Sequence, residues 1–388
     1  MPSVPARGDV VGVGLYLAAV ALVAGVLRDV RAPDLQVYHL ALEHLGADDV
    51  YRHLYPDITA PYTYPPSALV LLAWLAVPLA AGRVLMVVAT AVSVWLTSAV
   101  VVRTAAQGSP WDRAGIVGAV SAVTLLSLPL FLAAGLGQAA PVVMGISAWG
   151  MLGARTRWRG AWVGAAAALK LTPAAFALHW WSTGRRRDCL VAGAAFLAWT
   201  ALGWWAMPAS SRWYFRDGGV LRAPQDYTNV SNQALSGIAA RAGWGSPPAG
   251  VAVLAVSAAL LVAGLLVARR AHDAGWDAAA VALVGLWSGV CAPLAWIHAF
   301  GWWVPLAAAI ALHGRTRRDV LVAVVTTLWP AALLVVPTGP GPSIGSAWYP
   351  LGVVLVTTWL WRRLPARAAG RRGPSVGQPR QALTGAPA

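Results

Sequence analysis

Residues 248–268 read PAGVAVLAVSAALLVAGLLVA, carry no charge, and are followed by Arg269 and Arg270. A run of about 20 apolar residues is the length that an α-helix needs to cross the hydrocarbon core of a bilayer. Its apolar side chains are continuous and do not alternate with polar ones, which is not the pattern of a strand in a membrane barrel. The segment therefore predicts a membrane-spanning helix that ends at a basic boundary.

Comparable apolar runs recur along the whole chain. Of its 388 residues, 58% are hydrophobic and only 11% are charged, whereas soluble globular proteins carry about 25% charged residues. So few charges could not cover the surface of a soluble protein of this size, which excludes the soluble classes. We predict an all-α polytopic membrane protein, a bundle of about 10 to 13 transmembrane or re-entrant helices. The other runs are residues 9–27, 67–80, 84–102, 114–134, 139–153, 161–182, 189–207, 277–293, 299–312, 319–337 and 346–361.

Charge and loop length indicate the domain organisation. The net charge is +15, and many arginines cluster in short segments between apolar runs, as in cytoplasmic loops. We predict a multi-pass protein of the plasma membrane, with residues 1–361 as one transmembrane domain and large outer loops at 28–66 and 208–247. The basic tail 362–388 is expected to be a disordered cytoplasmic segment. The excess of positive charge indicates contact with the bilayer. Because the sequence has no recognisable nucleic-acid-binding motif, we predict no nucleic acid partner.

Two of the apolar runs do not predict a simple crossing. Residues 67–80 are too short to span comfortably, so we predict a re-entrant or interfacial segment. The run 161–182 has arginines on both sides and Thr172-Pro173 in its middle. Because proline interrupts a helix, this run predicts a broken, V-shaped helix pair that enters and leaves on the cytoplasmic side. Lys170, the only lysine in the chain, lies beside the break. A cation in the membrane indicates a functional site, and the alternative is a lysine that reaches an interface.

The first outer loop carries a candidate base. Pro33 favours the start of a helix, which would put Asp34 and Tyr38 on one helix face. A carboxylate at the membrane edge can accept a proton from a sugar hydroxyl, although Asp34 could instead only cap the helix. The loop closes with Tyr62 and Tyr64 ahead of two consecutive prolines. These tyrosines either bind sugar or anchor the chain at the membrane interface.

Three further outer segments carry polar candidates. Gln138 lies in a tight turn between two runs, where it either binds a sugar or caps the turn. Asn229, Ser231 and Asn232 lie in an amide- and hydroxyl-rich stretch suited to polyhydroxyl recognition, although Ser231 could instead cap a helix starting at Asn232. His298 could contact a phosphate or a hydroxyl, although a lone histidine is usually structural. No metal site is predicted, because no second histidine or carboxylate lies at zinc-ligand spacing from it.

Together these motifs resemble glycosyltransferase family 87, the polyprenol-phosphate-mannose-dependent alpha-1,2-mannosyltransferases of the GT-C class from actinobacteria. The resemblance covers about residues 10–360. Members often carry an asparagine, two serines and a second histidine at positions where this chain has Ala140, Ala292, Ala295 and Ala299. The shared motifs are, in chain order, Asp34-Leu35-Gln36-Val37-Tyr38, Tyr62-Thr63-Tyr64-Pro65-Pro66, Gly137-Gln138, Lys170-Leu171-Thr172-Pro173, Asn229-x-Ser231 before Gly237, and Pro293-x-x-Trp296-x-His298.

The resemblance implies a GT-C-type membrane enzyme that transfers mannose, with inversion, from polyprenyl-phosphate-mannose to a glycolipid or lipoglycan acceptor on the extracytoplasmic side. Asp34 would be the catalytic base, and His298 first, with Lys170 second, would stabilise the leaving phosphate. No nucleotide, metal or other cofactor is expected, because the lipid-linked donor is already activated. The substrate-binding residues would be Tyr38, Tyr62, Tyr64, Gln138, Lys170, Asn229, Ser231, Asn232 and Trp296.

Two other functions are compatible with the same residues. A transporter or flippase of lipid-linked sugar would explain the broken helix, the intramembrane Lys170 and a polar cavity, but it would not need Asp34. A non-catalytic scaffold in envelope assembly would tolerate the loss of Asp34 and His298 together. Substitution of Asp34 separates these functions, because it should stop sugar transfer and largely spare transport.

Overall fold

The protein is almost entirely helical. The computed structural model describes residues 7–51, 62–106, 114–217, 227–244, 247–314, 316–338 and 343–365. Within these ranges the chain forms 17 α-helices and no strands, and the extended structure is limited to an isolated bridge between Asn232 and Trp296. The predicted all-α polytopic membrane class is confirmed.

The helices cover every apolar run predicted from the sequence. The first half contains α1 Arg7–Val26, α2 Pro33–Glu43, α3 Pro66–Leu71, α4 Leu79–Ala105, α5 Ala114–Leu126, α6 Leu128–Leu136, α7 Ala140–Ala148, α8 Arg159–Leu169 and α9 Ala174–Ser182. The second half contains α10 Arg186–Ala206, α11 Pro208–Phe215, α12 Leu235–Arg241, α13 Pro247–Asp273, α14 Asp277–Val290, α15 Trp303–His313, α16 Arg317–Ala332 and α17 Trp348–Arg363. Shorter turns lie between them, namely 3₁₀ segments at Ala73–Leu75, Ile297–Phe300 and Gly345–Ala347 and a π-helical turn at Trp149–Gly153.

Among the described helices, α1, α4, α10 and α13 are individually long and apolar enough to cross a bilayer. Helices α5 and α6 would together make a fifth span, but they bend by 67° at the break between them. The prediction of one continuous span over 114–134 is therefore wrong. Pro129 in the first turn of α6 has no amide proton for the helical ladder, and Ser127 donates its hydroxyl to the carbonyl of Thr124 at 2.6 Å. The other runs form shorter helices.

A seam of glycines joins α1 to α5. A Cβ atom on Gly12 would collide with the carbonyl of Gly115, and one on Gly118 would collide with the carbonyl of Gly12. Such close backbone approach is typical of membrane helices that pack through small residues. The carboxylate of Asp9 accepts a hydrogen bond from the amide of Gly115 at 2.9 Å, which satisfies a donor in the first turn of α5. The seam fixes the helix that leads into the first outer loop.

The predicted break in the run 161–182 is confirmed. The backbone leaves the helix at Lys170, with φ −150° and ψ 128°, and α9 begins after Pro173. The start of α8 lies beside the end of α9, because the guanidinium of Arg159 is 5.8 Å from the ring centroid of Trp180. The two helices therefore form a hairpin with Lys170 at its apex.

Helix α14 lies inside the bundle, against α4, α13 and α15. From Ala278 to Val290 all of its residues except Ser288 are buried. Helix α16, which packs against α15 and α17, begins with a reciprocal capping box between Thr316 and Asp319. Arg363 at the end of α17 binds the fully buried Asp319 at 2.9 Å. These contacts hold the C-terminal helices against the buried centre.

Both predicted outer loops contain helices. The first includes α2, and the second includes α11 and α12. The run 67–80 forms α3 and a 3₁₀ turn before α4 begins, so it does not cross as a single helix. Helix α17 extends to Arg363, two residues into the segment 362–388 that was predicted as the tail. Parts of both loops and most of the tail lie outside the described residues, namely 52–61, 218–226, 245–246 and 366–388.

Candidate active site

Helix α2 presents one face to a cavity. Ala32 adopts a left-handed backbone with φ 47°, and Pro33 starts the helix as predicted. Leu35 is buried and fixes the helix against the bundle. Asp34 therefore stands in the first turn, where the free amides of a helix favour a carboxylate. Asp34 and Tyr38 both line the cavity, so the predicted sharing of one helix face is confirmed.

The side-chain amide of Gln138 joins three of the predicted residues. Its Nε2 atom donates a hydrogen bond to Oδ2 of Asp34 at 2.7 Å. Its Oε1 atom accepts from the hydroxyl of Tyr38 at 3.0 Å and from that of Tyr64 at 2.7 Å. The rings of the two tyrosines meet edge to face with centroids 5.5 Å apart. Because an ionised carboxylate can only accept hydrogen bonds, the amide must turn its N–H towards Asp34 and its oxygen towards the two hydroxyls.

A glycine turn places Gln138 beside α2. Gly137 ends α6 in a left-handed backbone with φ 69°, and the amide of Gln138 donates to the carbonyl of Ala133 at 2.8 Å, as in the C-terminal caps of helices. A Cβ atom on Gly137 would lie only 2.6 Å from Cβ of Leu35. Glycine is therefore required both by the backbone conformation and by the approach of α2.

A cavity of about 550 Å³ brings together residues from both halves of the chain. Much of its remaining wall is apolar and includes Leu132, Leu136, Leu171 and Leu294. A few polar groups on an apolar wall suit a ligand with a polar part and a hydrocarbon part. The predicted site residues that line it are Asp34, Tyr38, Tyr64, Gln138, Lys170, Ser231, Trp296 and His298.

Lys170 and His298 line both the main cavity and a smaller adjoining pocket of about 30 Å³. The Nζ atom of Lys170 lies 5.6 Å from the ring centroid of Tyr64, which is a cation–π distance. His298 lies in a 3₁₀ turn, and its side chain is only 5% exposed. Its Nε2 atom has no hydrogen-bond partner within the described part of the chain. A buried polar atom in that state requires an explanation, and a bound ligand would supply one.

The environment of Asp34 makes its carboxyl a stronger base. Burial, the largest effect, raises the pKa of Asp34 above its ordinary value, while the hydrogen bond from Gln138 and the charge of Lys170 lower that pKa. A raised pKa increases the proton affinity of the carboxylate, which favours a role in proton abstraction. The same neighbours keep the charged form accessible.

Asn229 and Asn232, which were predicted to contact sugar, do not line the cavity. The fully buried Asn232 accepts hydrogen bonds from the amides of Ala234 and Ala295 at 3.3 Å each. The Oδ1 atom of Asn229 accepts from the amide of Ser231 at 2.9 Å. These side chains form the loop and fasten it to the segment before His298, because unpaired backbone amides would be costly there.

The surroundings of Tyr62 and Ser231 bear on the roles considered for them. Tyr62 is 1% exposed and does not line the cavity. Its ring lies 5.6 Å from that of Tyr51 and 6.0 Å from that of Tyr64, so it supports Tyr64 from outside the cavity. Ser231 lines the cavity, but it does not cap a helix at Asn232, because α12 begins three residues further on.

Tyr214 also lines the cavity and was not predicted from the sequence, whereas Tyr227, another lining residue, begins the polar stretch that contains Asn229. Tyr214 belongs to α11, whose first turn is capped by Asp48 of the other outer loop through a hydrogen bond from the amide of Ser210 at 2.8 Å. Beside Tyr214, the ring of Trp213 stacks on Tyr51 at 4.7 Å. These contacts between the loops bring Tyr214 to the cavity. The aromatic run at the end of α11 was the only available signal.

Known relatives resemble the chain over most of its length. It is 30% identical over 294 residues to a polyprenol-phosphate-mannose-dependent alpha-(1-2)-phosphatidylinositol mannoside mannosyltransferase of Mycobacterium tuberculosis. This match covers 71% of this chain and 68% of that protein. It is also 30% identical over 353 residues to the protein of the same name from Mycolicibacterium smegmatis. That match covers 82% of this chain and 75% of the relative.

A family comparison gives the same result. No solved structure matches the chain, but the profile of glycosyltransferase family 87 matches residues 62–293. This range contains Gln138 and Lys170, and the segments of Asp34 and His298 flank it. The motifs quoted from the sequence predict the same family, and the predicted class of enzyme is confirmed. The chain therefore belongs to glycosyltransferase family 87 and is a membrane glycosyltransferase.

Proposed function

We propose that this chain transfers mannose from polyprenol-phosphate-mannose to a hydroxyl of a lipid-linked or envelope glycan acceptor. The names of both relatives support this donor. The observation that carries the proposal is the carboxylate of Asp34, held by Gln138 in a cavity that also contains Lys170 and His298. The apolar wall of the same cavity is suited to the hydrocarbon chain of a lipid-linked donor.

Asp34 acts as the general base in this proposal. Gln138 occupies Oδ2, and within the described part of the chain no partner occupies Oδ1. Oδ1 accepts the proton of the acceptor hydroxyl, whose oxygen forms a bond to the anomeric carbon. The bond from that carbon to the phosphate oxygen breaks, and its electron pair leaves with polyprenyl phosphate. Attack on the face opposite the leaving group inverts the configuration.

Lys170 and His298 stabilise the departing phosphate. The leaving group carries negative charge, and a fixed cation or hydrogen-bond donor in a site screened from water lowers the barrier for its departure. Lys170 supplies an ammonium at the apex of the α8–α9 hairpin, and His298 lines the same cavity. The Nζ atom of Lys170 lies beside the ring of Tyr64, and the hydroxyl of Tyr64 donates to Gln138. Because Gln138 in turn binds Asp34, these contacts link the phosphate end of the site to the base.

The tyrosines and Trp296 position the sugars. Tyr38, Tyr64 and Trp296 give aromatic surface and hydroxyl or indole groups, which suit the apolar faces and hydroxyls of pyranose rings. Asn229, Asn232 and Tyr62 act indirectly, because they hold the segments that carry these residues. We propose that no cofactor is needed, since the phosphodiester donor is already activated, and that the cavity opens to the extracytoplasmic side.

The test is sugar transfer by the purified full-length protein in nanodiscs. Synthetic polyprenyl-phosphate-mannose is the donor, and an envelope lipid extract is the acceptor pool. We expect a mannosylated lipid to form as polyprenyl phosphate is released. A folded protein that neither binds nor consumes this donor would refute the proposal, whereas movement of intact donor across vesicle membranes without transfer would favour the flippase alternative.

Removal of the Gln138 side-chain amide should change the pH dependence of transfer. We expect Gln138→Leu to lower kcat/KM at neutral pH by about tenfold, because hydrogen bonds to charged groups are stronger than those between neutral groups. The hydrogen bond lowers the pKa of Asp34, so its loss raises that pKa. Since the base form exists only above the pKa, the ascending limb of the pH–rate profile should move to higher pH.

Another glutamine, Gln36 on α2, gives a matched control for this measurement. Gln36 donates to the carbonyl of Arg31 at 2.8 Å and does not line the cavity. Gln36→Leu should keep the pH profile of the wild-type enzyme. If Gln138→Leu changes only KM for the acceptor and leaves the ascending limb in place, Gln138 binds sugar and does not tune Asp34.

A further inference from the structure

A strongly basic surface lies at the open end of the α8–α9 hairpin, away from Lys170. We call this surface the hairpin base. Within segments 155–159 and 185–188, the only acidic residue is Asp188. Exposed tryptophans lie among the arginines, a combination typical of membrane interfaces. The hairpin base consists of Arg155, Arg157, Arg159, Arg185, Arg186 and Arg187, with Trp158, Trp162 and Trp181.

The inner part of the hairpin base is a fixed cluster with excess positive charge. Arg159 and Arg185 both bind Oδ2 of Asp188, at 2.6 and 3.0 Å, so one carboxylate serves two guanidinium groups. Both guanidinium groups also lie over the ring of Trp180, at 5.8 and 5.5 Å from its centroid. The Nη2 atom of Arg185 is buried and has no hydrogen-bond partner within the described residues. Two guanidinium groups share one carboxylate, so the cluster keeps a net positive charge.

In the outer part of the hairpin base, exposed arginines lie beside exposed tryptophan rings. Arg157 and Arg186 are exposed and lie 5.3 and 5.4 Å from the ring centroids of Trp158 and Trp181. Beyond it the exposed surface becomes apolar, with Leu178 on α9 and Leu190 and Leu197 on α10. Only 11% of the apolar stretch of α10 is buried inside the protein. Positive charge is thus followed directly by hydrocarbon-compatible surface.

We propose that the hairpin base binds the headgroup of an anionic phospholipid of the surrounding bilayer. The phosphate would contact the arginines, and the acyl chains would lie along the exposed leucines of α9 and α10. A soluble anion would contact only the arginines, whereas a phospholipid would contact both the arginines and the exposed leucines. The proposal is independent of the sugar transfer, because it depends on no residue of the cavity.

The test is lipid retention by the full-length protein in native mass spectrometry. The probes are phosphatidylglycerol and, with the same acyl chains, the zwitterionic phosphatidylcholine. The test variant combines Arg157→Gln with Arg186→Gln, which leaves the Arg159–Asp188–Arg185 cluster intact. The control variant combines Arg317→Gln with Arg318→Gln, two exposed arginines in the first turn of α16.

We expect wild type and control to retain phosphatidylglycerol in preference to phosphatidylcholine. Each arginine near a membrane surface strengthens anionic lipid binding by about fivefold, so the test variant should bind phosphatidylglycerol roughly 25-fold more weakly. Its thermal unfolding in detergent should match that of wild type, since only exposed cation–π contacts are lost. Equal retention by test variant and wild type, equal loss in the control, or no preference for the anionic lipid would each overturn the proposal.

Discussion

Replacing Asp34 with asparagine is expected to lower kcat for mannosyl transfer by about 10²- to 10⁴-fold, the range typical of a lost general base. The asparagine has nearly the same shape and can still accept the hydrogen bond that Gln138 donates at 2.7 Å. It cannot take a proton from the acceptor hydroxyl. The measurement is initial rate of transfer from synthetic polyprenyl-phosphate-mannose in nanodiscs, with donor binding measured separately.

The chain offers a control carboxylate in the same outer loop. Asp29 is exposed and does not line the cavity, so Asp29→Asn should retain the wild-type rate. Thermal unfolding of both variants should match wild type, because neither loses a buried ion pair. Transfer by a folded Asp34→Asn variant at more than about a tenth of the wild-type rate would show that another group accepts the proton.

The sequence predicts the elements that depend on local chemistry. Proline explains why α2 starts at Pro33 and why the 161–182 run breaks ahead of Pro173, and both features are found as expected. The same rule could have been applied to Pro129, but an apolar run of sufficient length suggested an unbroken span. Hydrophobicity sets the presence of a helix in the membrane, whereas its continuity depends on hydrogen bonds such as that of Ser127.

The partners of a polar residue are harder to predict than its location. Asn232 and Gln138 both carry an amide and lie in segments between apolar runs, yet Asn232 satisfies backbone amides and Gln138 contacts the base. The difference arises from long-range packing, which turns one amide into the loop and the other into the cavity. Tyr214 reaches the cavity through contacts between two outer loops, and no local pattern encodes such contacts.

Lys170→Met is expected to lower kcat by about 10²- to 10³-fold, as for other losses of a group that stabilises developing negative charge. The KM for the acceptor should change little, because the charge matters when the phosphate departs. The backbone amide of Lys170 caps α8 through the carbonyl of Ala166 at 2.9 Å, and this bond survives the substitution. Lys170→Arg should recover a large part of the rate, because it restores the positive charge.

The dependence on the leaving group separates catalysis by Lys170 from a purely structural role. With an aryl phosphate analogue of the donor, whose leaving phosphate is less basic, the bond to the anomeric carbon breaks with less assistance. The difference between Lys170→Met and wild type should then shrink by at least about tenfold. A lysine that only holds α8 against α9 would instead lower the unfolding temperature and reduce transfer from both donors equally. Because Lys170 is the only lysine, an amine reagent that modifies side chains tests the same contact, and polyprenyl phosphate should protect the wild-type protein from it.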